Sequence, residues 1–180
     1  MDIGDSDSKE QLLNGRGQYH SEIFQVVDFD PVAHLTSIIP VFWQAWLMIH
    51  GQDKSNRTTI TLNGNNWEVS EAEALIHWYL VTEHSRIKLA IDDKEIVGLL
   101  VYNRVFEGVF AIRLFYVLPH KMRTKTGHKL ISSLEDVHTL LFQTKNDLPP
   151  EAMFEITRGR EKKLHQSDIV TTWTMPWEKK

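Results

Sequence analysis

The sequence contains no cysteine. Disulfides, thiolate nucleophiles and cysteine-based zinc sites are therefore excluded, and the composition fits a reducing compartment such as the cytoplasm. No apolar run reaches the roughly 18 to 20 residues that span a bilayer, so no membrane partner is expected. The opening MDIGDSDSKEQ is acidic and polar, whereas a signal peptide needs a basic start and an apolar stretch. Net charge is only −4, which argues against nucleic-acid binding through overall charge. No HExxH, GxxxxGK or GxSxG motif is present, and the nine histidines form no tight pair, so no metal site is expected. Internal repeats and low-complexity segments are missing too.

What is there describes one globular unit. A chain of 180 residues, 42% hydrophobic and 24% charged, is long enough for a real core. Residues 1–18 carry Asp2, Asp5, Asp7 and Glu10 with few apolar partners, so they read as an acidic arm, mobile on its own. Residues 19–180 read as a single domain.

The chain then punctuates itself. His20 to Phe29 reads as a strand. Asp30-Pro31 supplies an N-cap and a first-turn proline for a helix that stops at Gly51 and should kink or split at Pro40. Its second half is apolar nearly all round, with Phe42, Trp43, Trp46, Leu47 and Ile49, so it is either buried or docked on a partner. Asn63-Gly64 marks a short hairpin. Ser70 and Glu73 form a capping box for a second helix ending near His84. Three apolar runs follow, turned at Asp92-Asp93-Lys94 and Glu107-Gly108, and such short turns make antiparallel neighbours. Pro119 ends the third run. A basic segment around Gly127 leads into a helix expected to run through Leu141, up to the break at Leu148-Pro149-Pro150. A short strand at Met153 to Thr157, a short basic helix from Gly159 to about His165 and a last strand from Ile169 to Trp177 complete the expected order.

That order, with DDKEIVGLLVY as a hairpin carrying Gly98 and YVLPHKMRTKTGHKLI as a loop entering a helix, resembles the GNAT superfamily of acyl-CoA-dependent N-acyltransferases from about Ile23 to Trp177. The resemblance implies an α+β fold: a mixed, mostly antiparallel central sheet flanked by helices. It also implies acetyl-CoA or another acyl-CoA as cofactor, an amine as second substrate, and a pyrophosphate held where the loop meets the helix. Amides at a helix start point outward and favour an anion, and glycine allows close approach. The residues that fall there are Val117, Arg123, Lys125, Thr126, Gly127, His128 and Lys129. Of the family's glycine pair only Gly127 matches; Lys125 stands at the first glycine and Met122 at the expected arginine.

Acyl transfer needs a deprotonated amine and a polarised thioester carbonyl. The family's base on the meander and acid near the late helix point to Glu107, Tyr116 and His165 as catalytic candidates. Each also has a plainer reading: a solvated turn carboxylate, a core tyrosine, a surface histidine. His34 and His50 read as hydrogen-bonded core groups. Arg158, Arg160, Lys162 and Lys163 read as a solvated face before a nucleic-acid site. Two functions stay open. One is an N-acyltransferase. The other is a catalytically inactive structural or interaction protein of the same fold within a larger, even viral, assembly. It would meet a protein partner or a second copy through helix 41–50 and the arm.

Overall fold

The structure, a computed structural model, describes residues 24–50, 57–62, 65–122, 125–147 and 159–179, with the backbone alone at 49–50, 57–62 and 65–69. The arm, Arg123 and the strand expected at Met153 to Thr157 lie outside the described residues.

The elements run β1 (Gln25–Asp28), α1 (Pro31–His50), β2 (Arg57–Leu62), β3 (Asn65–Ser70), α2 (Glu71–His77), a π-helical turn (Trp78–Thr82), β4 (Arg86–Asp92), β5 (Glu95–Phe106), β6 (Val109–Val117), a 3-10 turn (Pro119–Lys121), α3 (Thr126–Ser132), β7 (Thr139–Lys145), β8 (Lys162–Gln166) and β9 (Val170–Pro176). Seven strands make one sheet in the order β1-β4-β5-β6-β7-β9-β8, and β2 and β3 pair as a separate hairpin. All ladders in the large sheet are antiparallel except β6 with β7. This is the α+β, mixed and mostly antiparallel sheet that the turn signals and the family resemblance imply.

Local chemistry explains the helix starts. The Asp30 side chain accepts the Val32 amide at 2.9 Å, and His34 Nδ1 accepts the Asp30 amide at 2.9 Å. His34 is thus a hydrogen-bonded, half-buried group. Ser70 and Glu73 close the capping box over α2. One helix runs through Pro40 rather than two.

The sheet has two apolar faces. On one, Ile38, Phe42 and Ala45 of α1, with Ile76 of α2, cover Leu89, Leu99, Val101 and Leu114. Trp43 and Trp46 pack against the same cluster, so the apolar half of α1 is largely spent on the chain's own core. On the other face, Leu130, Ile131 and Leu134 cover Leu100, Phe110, Phe115, Leu140 and Phe142. Full burial of such a side chain contributes about 1.5–3 kcal/mol.

Two expected helices are strands or shorter than expected. α3 stops at Ser132, and a turn with Asp136 at φ 53° leads into β7. Val137, Leu140 and Leu141 fit helical spacing, but Leu140, Phe142 and Thr144 also alternate with period two, and burial of that face decides. The basic segment ending at His165 forms the edge strand β8, every residue of it exposed. A lysine-rich sequence suits an unpaired edge as well as it suits a helix.

Candidate functional site

The feature that sets up a site is a fork in the sheet. β6 and β7 pair in parallel for four residues, Val109 to Ile112 against Thr139 to Phe142. Beyond that point β6 continues to Val117 and β7 to Lys145 without pairing to each other. β6 stays bonded to β5 through Gly98↔Val117, while β7 stays bonded to β9 through Lys145↔Val170. At the fork Arg113 is an extra residue, since Val101 pairs Leu114 and Tyr102 pairs Ile112. A bulge of this kind re-aims the chain where pairing ends. The Arg113 guanidinium donates to Glu83 Oε2 at 3.1 Å.

Above the fork the chain turns over to α3. The Lys121 ammonium pairs with Asp92 at 2.8 Å, which ties the loop after β6 to the β4–β5 turn. Lys125 takes the N-cap position of α3, and no side chain caps the helix start. Its exposed ammonium meets no partner among the described residues. Thr126 is fully buried. A Cβ on Gly127 would lie 2.9 Å from Phe115 Cζ, and one on Gly98 would lie 3.0 Å from Leu130 Cδ1 and 3.1 Å from the Tyr116 carbonyl. Both glycines let α3 lie close on the sheet. The bare side of Gly127 therefore faces Phe115, a packing requirement rather than an approach path for phosphate.

Of the candidates read from the sequence, Val117, Lys125, Thr126 and Gly127 lie on the α3 side at the upper end of β6, where a Cβ on Gly127 would be 3.7 Å from Val117, while the Tyr116 side chain turns to the opposite face and packs in the α1–α2 core. Tyr116 is 6% exposed, and burial raises its phenol pKa above the usual 10.0. Its hydroxyl makes no hydrogen bond among the described residues. His128 is half-buried, with Nδ1 3.3 Å from Ser132 Oγ and its ring 5.0 Å from that of Trp177. Lys129 lies one turn into the helix: its amide donates to the Lys125 carbonyl at 2.9 Å, and its ammonium sits 4.2 Å over the Phe24 ring. It has no amide left for an anion.

Two catalytic candidates lie elsewhere. Glu107 is exposed in the turn before β6, at the opposite end of a nine-residue strand, about 26 Å from Val117 at 3.3 Å per residue. His165 is exposed on β8, opposite Thr172, which is itself opposite Gln143 of β7. Two strand spacings put it about 10 Å from β7. The sequence reading missed Arg113, because nothing in a continuous strand pattern marks a bulge.

No family model and no curated protein matches the sequence; the likeness is one of structure. The PaiA N-acetyltransferase from Thermoplasma acidophilum, solved with coenzyme A, superposes with a TM-score of 0.56 at 11% identity, covering 86% of this chain and 99% of its own. A GNAT-family acetyltransferase from Staphylococcus aureus gives 0.55 at 14% identity over 85% and 98%. One from Elizabethkingia anophelis with acetyl-CoA bound gives 0.51 at 12% identity over 86% and 98%. The chain has the acyl-CoA N-acyltransferase fold. No helix among the described residues is long and apolar enough to cross a membrane, and no group of three or more His, Asp or Glu among them is placed to hold a metal ion.

Proposed function

We propose that this chain binds an acyl-CoA in the gap between β6 and β7 and transfers its acetyl or other acyl group to an amine. The observation that carries this reading is the parting of the strands after Ile112 and Phe142. An extended arm with amide groups can add to the free edge of β6 as a further strand would. The Lys125 ammonium, and Arg123 two positions before it in the sequence, supply positive charge for a diphosphate. Coenzyme A contributes the thioester from which the acyl group leaves.

Tyr116 is the residue suited to hold a proton beside the gap. Burial raises its pKa, so the phenol stays neutral at physiological pH and can donate to a departing thiolate. Glu107 and His165 have no part in this reading; the amine's proton goes to water, and water returns a proton to the Tyr116 phenolate.

A second reading has one observation behind it. Arg113 puts a guanidinium, paired with Glu83, at the fork where an amine acceptor calls for a base. A chain of this fold with no transferase activity would serve as a structural or interaction protein in a larger assembly. Calorimetric titration with acetyl-CoA separates the two. The transferase reading expects saturable heat and a thermal upshift, since ligand at 100 times its Kd adds about 2.7 kcal/mol of stability. No heat and no upshift at high excess leaves the scaffold reading.

A further inference from the structure

The opposite end of the α3 face holds a second feature, which does not depend on the acyl-CoA reading. α3 has seven residues, about 10 Å of helix, whereas β5 has twelve, about 40 Å of strand. The helix covers only the upper part of that face. Below its C-terminal end lies a groove of about 570 Å³, closed on one side by the loop at Ser133 to Glu135. None of the residues around the gap lines it.

The rings beneath it belong to the core. Tyr102 is 5% exposed and Phe110 3% exposed, with ring centroids 5.9 Å apart in an edge-on arrangement. Around the floor stand three cations on one face of the sheet, because Arg86 pairs Tyr102, Lys88 pairs Leu100 and Arg104 pairs Phe110 in register. Two carboxylates, Asp28 and Glu135, also line it. Lys88 and Asp28 satisfy each other at 2.8 Å. Arg86 stands directly beside Tyr102 in the ladder. The Arg104 guanidinium has no hydrogen bond or ion pair among the described residues. That leaves two arginines against Glu135 alone. Asn103, between Tyr102 and Arg104, is pinned from both ends: its amide donates to the Glu83 carbonyl at 2.9 Å, and its oxygen accepts the Ser85 hydroxyl at 2.9 Å. The strand that carries the floor is thereby held in place, which lowers the cost of ordering a ligand.

We infer that this groove is a second binding site, for a small molecule bearing an oxyanion. Arg86 and Arg104 flank the oxyanion and the Tyr102 hydroxyl donates to it. Guanidinium forks match carboxylate and phosphate alike. The volume lies within the range of ordinary small-molecule pockets. A merely solvated polar strip beyond a short helix would show no saturable binding.

The test uses the full chain with two probes, phenyl phosphate and benzoate, followed by backbone amide shifts in NMR. Saturable shifts at Asn103, Arg104 and Glu135 are expected with at least one probe, and the tighter probe tells phosphate from carboxylate. Arg104→Ala should weaken that probe roughly tenfold, the scale of losing one charge-assisted hydrogen-bonded contact. Tyr102→Phe should weaken it less, and acetyl-CoA should not displace it. Linear, unsaturated shifts with both probes, or saturation indifferent to Arg104→Ala, overturn the site. The result stands whether or not acetyl-CoA binds, so failure here and failure of the transferase reading are told apart.

Discussion

The lower and upper halves of β6 are built from the same kind of sequence and do different things. Val109 to Ile112 is bonded on both edges, to β5 and to β7. Leu114 to Val117 is bonded to β5 alone. The lower half buries Phe110 and Ile112 on the α3 face alone, with Val109 and Ala111 half-buried on the other, whereas the upper half buries Phe115 and Val117 on one face and Leu114 and Tyr116 on the other. The parted half is thus the more deeply buried of the two, and loss of pairing does not follow from loss of hydrophobicity. The difference begins at the Arg113 bulge, and above it α3, seated by Gly98 and Gly127, covers one face. The paired half holds the fold together, and the parted half offers backbone edge to a ligand.

Substitutions can break this contrast or sharpen it. The largest effect belongs to the paired half. Phe142→Ala, at a side chain 2% exposed in the last rung before the fork, should cost about 3–5 kcal/mol in urea unfolding. A loss under about 1 kcal/mol would mean that the rung carries little. Tyr116→Phe should do the reverse in the parted half. Its hydroxyl has no partner to lose, so stability should stay within about 0.5 kcal/mol, while acetyl transfer falls on the order of 100-fold at unchanged acetyl-CoA Kd. Transfer at the wild-type rate removes Tyr116 as the acid. Gly127→Ala tests the seat of α3. The added methyl meets Phe115 at 2.9 Å, and overpacking of that kind costs about 1–3 kcal/mol. Phe115→Leu in the same chain should recover part of the loss in a thermal melt.

The smallest effect is on pH dependence. Burial, first among the causes, raises the pKa of Tyr79, Tyr102 and Tyr116 above 10.0. Their contribution is fully present below that value and is lost as pH climbs through the raised folded values, because the unfolded chain releases those protons first. Unfolding free energy should fall above about pH 10, and less steeply in a variant with all three changed to phenylalanine. A flat profile to pH 11 contradicts the burial of these phenols.

Much of the fold was legible because its signals are local. Ser70 with Glu73, Asp30-Pro31 and the turns at Asp92 to Lys94 and Glu107-Gly108 mark boundaries within four residues of themselves. The rest depends on contacts far apart in the chain. Val137 to Leu141 fits a helix or a strand until pairing with Val109 to Ile112 decides. The lysines of β8 carry no period at all. The site was legible only in outline. The segment around Gly127 announced itself by charge and glycine, but which way the glycine faces depends on Phe115, twelve positions earlier. Glu107 and His165 were drawn from chain order, and chain order says nothing about which end of a strand a turn occupies.

Among the described strands, the four rungs from Val109 to Ile112 are the joint between the meander and the terminal hairpin. Mechanically, the sheet is two plates sharing a short hinge at one end. A small rotation about that hinge would be magnified along the free lengths of both strands, and it would have to shear the core that Leu100 and Phe115 share with Phe142 and Met175, so the slot is braced by packing as well as by pairing. Hydrogen exchange should register the occupant as slowed opening of the rungs themselves, a few residues away from anything it touches.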